Sequence, residues 1–301
     1  QPYAGDFMRQ LPTSPACRHK SVYWLWATQR RFGLYVSAAV PTFELLAAQG
    51  DTSYDHLGDA LSHDPTADKS APHHAALRVW HDAHQATATH AVILGDKEKP
   101  ELYKIYNDGC VVDLAEEGMG KGGGDLCMEL KVYSSLVPQG ASSPSQTSYH
   151  GETHAFGNTE ERLIRTVLGV EAREGDLTWD SSTGLGKVTY HKGDYHDAIH
   201  TKRNTVDLRI HNTFGGFNRG AARALHALSK RTTDRTEYEG WAAPEFKPHW
   251  GQRISAAIVM ADAKRCHHAL SGLRGKARGT AAPRSAPRAS TAPRQQRPRH
   301  A

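Results

Sequence analysis

The sequence predicts an α/β (α+β) protein: a central mixed β-sheet flanked by helices, followed by a disordered basic C-terminal tail. Three observations carry that prediction. Residues 126–132 alternate strictly, with Leu126, Met128, Leu130 and Val132 on one face and Cys127, Glu129 and Lys131 on the other. Upstream, Val112 and Leu114 share a face and Asp113 projects from the opposite one. Between them residues 116–125 hold Gly118, Gly120, Gly122, Gly123 and Gly124, a composition only a turn tolerates. A third alternating run, 204–211, places Val206, Leu208 and Ile210 against Asp207, Arg209 and His211.

The length of the chain allows one large domain or two modest ones. Its 301 residues give ample material for a core, and 38% hydrophobic with 23% charged residues suits a globular protein with polar extensions. The best apolar stretch, 22–40, is interrupted by Gln29-Arg30-Arg31, so no membrane partner is expected. The chain begins at Gln1, which leaves open an incomplete or processed N-terminus. Cys17, Cys110, Cys127 and Cys266 show no Cys-x-x-Cys spacing, which points to a reduced intracellular setting, nuclear or cytoplasmic. Cys110 and Cys127 are expected as small buried residues.

The net charge of +5 is a property of the tail. Residues 271–301 carry eight Lys or Arg and no acid; without them 29 bases face 32 acids, a body near −3. The tail is rich in Pro, Ala and Ser and cannot bury enough surface to fold alone. It reads equally as a non-specific phosphate-binding arm, through Arg284, Arg288 and Arg294, or as a biased linker.

In chain order, residues 1–70 form an N-terminal helical or irregular region. Its aromatic cluster Tyr23-Trp24-Leu25-Trp26 reads as core packing, and 43–48 suits a short helix after Pro41. A helix is expected over 72–89, with Pro72 in its first turn and Ala76, Trp80, Ala83 and Ala88 along one side. Strand material follows at 90–94 and 101–106. After the hairpin, Asn158 and Glu161 form an approximate capping box for a helix ended by Gly169. Arg162 and Arg165 on it would face nucleic-acid backbone or solvent. Beyond the third run, Phe214-Gly215-Gly216-Phe217 turns into a helix over 219–230 with Ala221, Leu225 and Leu228 as its buried stripe. An accessory helix over 252–270 completes the division into 1–70, 71–232, 233–270 and 271–301. His150…His154 and His191…His196…His200 have spacings available to zinc. Neither contains His-Glu-x-x-His or a nearby cysteine, so both read as surface or loop histidines.

Folding back at the glycine turn pairs the two strands antiparallel and brings Asp113 toward Glu129 and Lys131. Two carboxylates and an amine on one sheet edge is a metal-and-phosphate arrangement. Asp113 followed by Glu129-Leu130-Lys131 resembles the signature of the PD-(D/E)XK nuclease superfamily, the restriction-endonuclease-like fold; Val112 stands where the family name has proline. The resemblance covers the hairpin closely and residues 71–230 in their order of elements, an αβββαβ core. A second Glu-x-Lys, Glu245-Phe246-Lys247, lies between Pro244 and Pro248, where a central strand is not expected.

The resemblance implies a Mg²⁺-dependent nuclease acting on DNA, with Mn²⁺ as an alternative ion, and leaves endonuclease or exonuclease action open. Asp113, Glu129 and the Leu130 carbonyl would hold the metal, which all-oxygen ligation suits. Lys131 would orient the attacking water or neutralise charge on the phosphate. Asp82 on the first helix and Asp125 in the turn are further candidate acids. Two alternatives stand beside this reading: an inactive nuclease-fold protein that binds nucleic acid, and a non-enzymatic interaction or scaffold domain.

Overall fold

A computed structural model of the chain describes residues 20–88 (apart from 33, 55, 57, 59 and 65), 92–95, 112–133, 162–169, 193–233 and 243–280. The elements in order are α1 (Ser21–Arg31), α2 (Val40–Ala48), a 3-10 turn (Ala60–His63), α3 (Ala71–Gln85) and β1 (Val92–Leu94). Then come β2 (Leu114–Glu116), β3 (Leu126–Tyr133), α4 (162–168), α5 (His196–His200), β4 (Thr205–Asn212), α6 (Arg219–Thr233) and α7 (Ala243–Thr280). The strand at 101–106, Cys17, Cys110, the caps Asn158 and Glu161, His150, His154 and His191 lie outside the described residues. So do Arg284, Arg288 and Arg294.

The sheet is mixed, in the order β1-β2-β3-β4. β1 to β3 form an antiparallel meander and β4 runs parallel to β3, with Leu130 beside Arg209. The expected antiparallel pairing holds, in a register that sets Leu114 opposite Met128 and Ala115 opposite Cys127. Glu116 departs from expectation. It is the last residue of β2, opposite Leu126, and not part of the turn.

Alternation distributes the strands over two covered faces. Leu114, Met128 and Leu130 meet Leu77 and Trp80 of α3, Leu225 and Leu228 of α6, and Phe246 and Ile254 of α7. Val112, Ala115, Cys127, Leu208 and Ile210 meet Val167 of α4 and Tyr195 and Ala198 on the other face. Val112 and Leu114, expected on one face, are thus on opposite ones, because the bend at Asp113 breaks the alternation before β2 begins. Central strands covered on both sides have no wet face. Arg209 and His211, read as the polar side of β4, are therefore buried at 3% and 0% exposure. Helix α6 begins where Asn218 caps it, its Oδ1 accepting from the Ala221 amide at 2.7 Å.

Helix α7 corrects the expected C-terminal organisation. It starts nine residues before position 252 and runs ten residues past 270, so its last turns occupy what composition assigns to the tail. Its first half packs beneath the sheet; its second half buries Val259, Cys266, Leu270 and Leu273 against Trp26 of α1 and Phe43 and Leu46 of α2. Residues 20–63 are thus the other wall of an α7 core. Trp26 fulfils the expected packing role at 1% exposure, whereas Leu25 is exposed. Glu245-Phe246-Lys247 is helical and not a central strand, as expected, and Phe246 is fully buried.

A candidate metal and phosphate site on the hairpin

The β2–β3 ladder ends at Leu114–Met128, and Asp113 lies in the bend immediately before β2. Asp113 and Glu129 line one small cavity. The main chain on either side of Asp113 is pinned, because its carbonyl accepts from the Gly95 amide at 2.8 Å. Its Oδ2 accepts from the Leu130 amide at 2.7 Å and lies 3.2 Å from Nε2 of His73, on the first turn of α3. The carboxylate is aimed by backbone geometry as well as by its own side chain.

Glu129 points from β3 toward α4 and α5. Lys131, two residues on and on the same face, hydrogen bonds Glu129 Oε1 through Nζ. The Tyr195 hydroxyl donates to Oε2 at 2.5 Å. Tyr195 is brought there by a close approach: its amide donates to the Val167 carbonyl and the Asp194 amide to Thr166. Gly193 permits this, since a Cβ there would lie 2.3 Å from the Gly169 amide nitrogen. Gly169 ends α4 with φ of 78°, as its place in the sequence predicts.

The electrostatics follow from two acids and one ammonium. Burial raises the Glu129 pKa above the usual carboxylate range and the charge of Asp113 raises it further; Lys131 and Tyr195 only partly offset this. Burial would lower the Lys131 pKa, but Glu129, Asp113 and Asp194 raise it on balance. Lys131 is therefore a cation at neutral pH, and the two carboxylates resist being ionised together. Solvent access is graded across the three: Glu129 is buried, Asp113 half-buried, and 38% of the Lys131 side chain is exposed. The expected fully open edge is thus a half-open one, because Tyr195 lies over the glutamate.

The other expected acids are elsewhere. Asp125 sits at the turn end of the hairpin, where its Oδ1 accepts from the Gly118 amide at 3.0 Å and helps close the loop. Asp82 is half exposed and pairs with His81 and with Arg253 of α7, each at 3.8 Å. Leu130 sends its side chain into the core below the sheet and its amide to Asp113. On α4, Arg162 is exposed and Arg165 partly buried. His196 and His200 on α5 meet with ring centroids 4.4 Å apart and planes tilted by 38°. Among the described residues no three His, Cys, Asp or Glu side chains converge as a metal cluster. A cation here would therefore rest on two carboxylates and main-chain or solvent oxygen, a set that fits Mg²⁺ better than zinc.

Sequence reasoning missed Tyr195 and His73. Both come from elements remote in sequence, 66 and 40 residues from their partners, and neither sits in a periodic pattern. It also missed a second ionic cluster beneath the sheet. There Glu116 accepts from Arg231 at 2.7 Å and meets Nδ1 of His84 at 2.5 Å; Arg209 lies 2.8 Å from Nε2 of the same imidazole. Arg209 donates only, so His84 accepts at Nε2 and donates from Nδ1. The Arg209 guanidinium also stacks on Trp80 at 4.1 Å.

No helix among the described residues is long and apolar enough to cross a membrane. Compared with known proteins, the chain matches no family model, no curated protein and no solved structure.

Proposed function

We propose that the chain is a metal-dependent nuclease that hydrolyses phosphodiester bonds in DNA at the Asp113–Glu129–Lys131 site. The observation that carries this reading is that Asp113 and Glu129 border one cavity, with a lysine ammonium bonded to the glutamate. Mutual repulsion between the acids is what a divalent cation relieves. The order helix, three strands, helix, strand, helix agrees with the core of the PD-(D/E)XK nucleases, which supports the same reading.

Asp113, Glu129 and the Leu130 carbonyl would hold Mg²⁺, or Mn²⁺ in its place. When bound, the ion supplies a lowered pKa for water and polarisation of the scissile phosphate. The residues of the chain do the remaining work. The Leu130 amide and His73 fix the direction of Asp113. Tyr195 holds one oxygen of Glu129 and leaves the other to Lys131. The exposed end of Lys131 then offers its charge to a phosphate oxygen arriving from solvent.

A second reading has a specific observation in its favour. Both Glu129 oxygens already carry donors and its side chain is 10% exposed, the condition of an idle relative that binds nucleic acid without cutting it. Plasmid cleavage in Mg²⁺, with metal binding followed by calorimetry, decides. The nuclease reading expects Asp113→Asn and Glu129→Gln to lose both cleavage and metal binding while keeping the wild-type circular dichroism spectrum. Wild-type cleavage by both variants would refute the site; metal-independent binding without cleavage would establish the idle reading.

A further inference from the structure

The second half of α7 has a property the hairpin does not use. From Ala263 to Ala301 the chain holds ten Lys or Arg and no Asp or Glu. Up to Arg278 that segment is an ordered helix, and its side chains sort cleanly by face. Cys266, Leu270, Leu273 and Ala277 are buried against α1 and α2. Lys264, His268, Gly275 and Arg278 are exposed and recur at four-, seven- and three-residue intervals, one stripe along the helix. At 1.5 Å per residue it is about 21 Å long. Lys276 flanks it, 4.0 Å from Asp51.

The stripe carries two permanent cations, Lys264 and Arg278, and no acid. Asp262, the last acid on the helix, is 2% exposed and held by Arg30 and Arg265 at 2.5 and 2.6 Å. His267, beside the stripe, has its pKa lowered by burial first and then by the charges of Arg274, His268 and Lys20. Ser271, Gly272 and Gly275 leave the middle of the stripe bare, and a Cβ on either glycine would meet nothing within 4 Å. A ligand backbone can approach the helix there between the basic ends.

We propose that this solvent face of α7 is a docking surface for the phosphate backbone of a nucleic acid. The occupant is chosen by charge complementarity, because Lys264 and Arg278 stand exposed at the two ends of a helix face that has no acid of its own, with Asp51 lying beside the flanking Lys276. A bilayer is a poorer fit, since an interfacial helix needs an apolar face to insert and every large apolar side chain on this half is buried in the core. The surface is separate from the hairpin and presumes no chemistry there.

The test uses the full chain carrying Glu129→Gln, in EDTA, so that binding is read without cleavage. Anisotropy of a labelled 20-base-pair duplex is followed from about 50 to 200 mM NaCl. Lys264→Gln/Arg278→Gln should reduce the slope of log K against log salt by about 1.8 and weaken binding roughly 10- to 100-fold at 100 mM. Lys264→Arg/Arg278→Lys should bind as the parent does. An unchanged slope in the Gln pair, with an unchanged melting temperature, overturns the proposal and assigns binding to the tail. Polyglutamate competing as well as DNA, or phosphatidylserine vesicles binding more tightly than the duplex, would overturn it in favour of an acidic protein or a membrane. Failure of wild-type cleavage would refute the nuclease reading and leave this measurement intact.

Discussion

Glu116 and Glu129 lie toward opposite ends of one hairpin, and both are nearly withdrawn from water, at 1% and 7% exposure. Their surroundings differ in sign. Burial would raise the Glu116 pKa, but bonds from His84 and Arg231 overcome it and hold it at about 2. Around Glu129 burial also raises the pKa, and here the neighbouring charge of Asp113 pushes the same way. One end of the ribbon is electrostatically complete. At the other, a second acid disfavours the charged glutamate, which a proton or an added cation would relieve. The difference separates a carboxylate that holds the fold together from one available for chemistry.

The sharpest test of that contrast is activity. Asp113→Asn or Glu129→Gln should reduce Mg²⁺-dependent plasmid cleavage by at least about 10³-fold, some 4 kcal/mol of transition-state stabilisation. Glu116→Gln should leave the chemistry in place but destabilise the fold by about 3 kcal/mol, because Arg231 and His84 lose their carboxylate partner, while Arg209 keeps Asp207. Chemical denaturation reads this directly. If the two glutamines gave the same stability loss, the contrast between the ends would collapse.

The pH dependence supplies a smaller signal with opposite signs. Glu116 and His84 have folded pKa values of about 2 and about 4, both below their ordinary values. Their contribution is complete above the unfolded pKa values and is lost as pH falls: through about 4 for His84, and through about 2 for Glu116. Glu129 is raised, so its contribution is present at low pH and lost as pH rises through its folded pKa. Stability of Glu116→Gln should fall less than wild type between pH 6 and pH 3, and that of Glu129→Gln should fall more. Smallest of all, Tyr195→Phe removes one hydrogen bond to Glu129 and should slow cleavage about tenfold with little change in melting temperature.

The hairpin was legible because period-two alternation and a glycine-rich turn are local signals. The antiparallel pairing of the two strands follows from them, but the bend that places Asp113 does not. Glu116 was not legible: beside Glu117 and Gly118 it has the composition of a turn, and its burial depends on His84 and Arg231, 32 and 115 residues away. Tyr195 is placed by a glycine contact between two loop ends, a tertiary event without a sequence period. Helix α7 was underestimated for the converse reason. Pro244, Pro248, Gly272 and Gly275 punctuate it locally, yet burial along its whole length outweighs their preferences.

That helix has a thermodynamic corollary. Phe246, Trp250, Ile254 and Ile258 anchor the sheet side, and Val259, Cys266, Leu270 and Leu273 anchor the aromatic side, on one unbroken rod. Neither half can melt without stripping the rod that the other half grips. Denaturation should therefore appear as a single sigmoid, with amides at either end of α7 exchanging at the same global rate. A nick near Ala256 would convert that one transition into two.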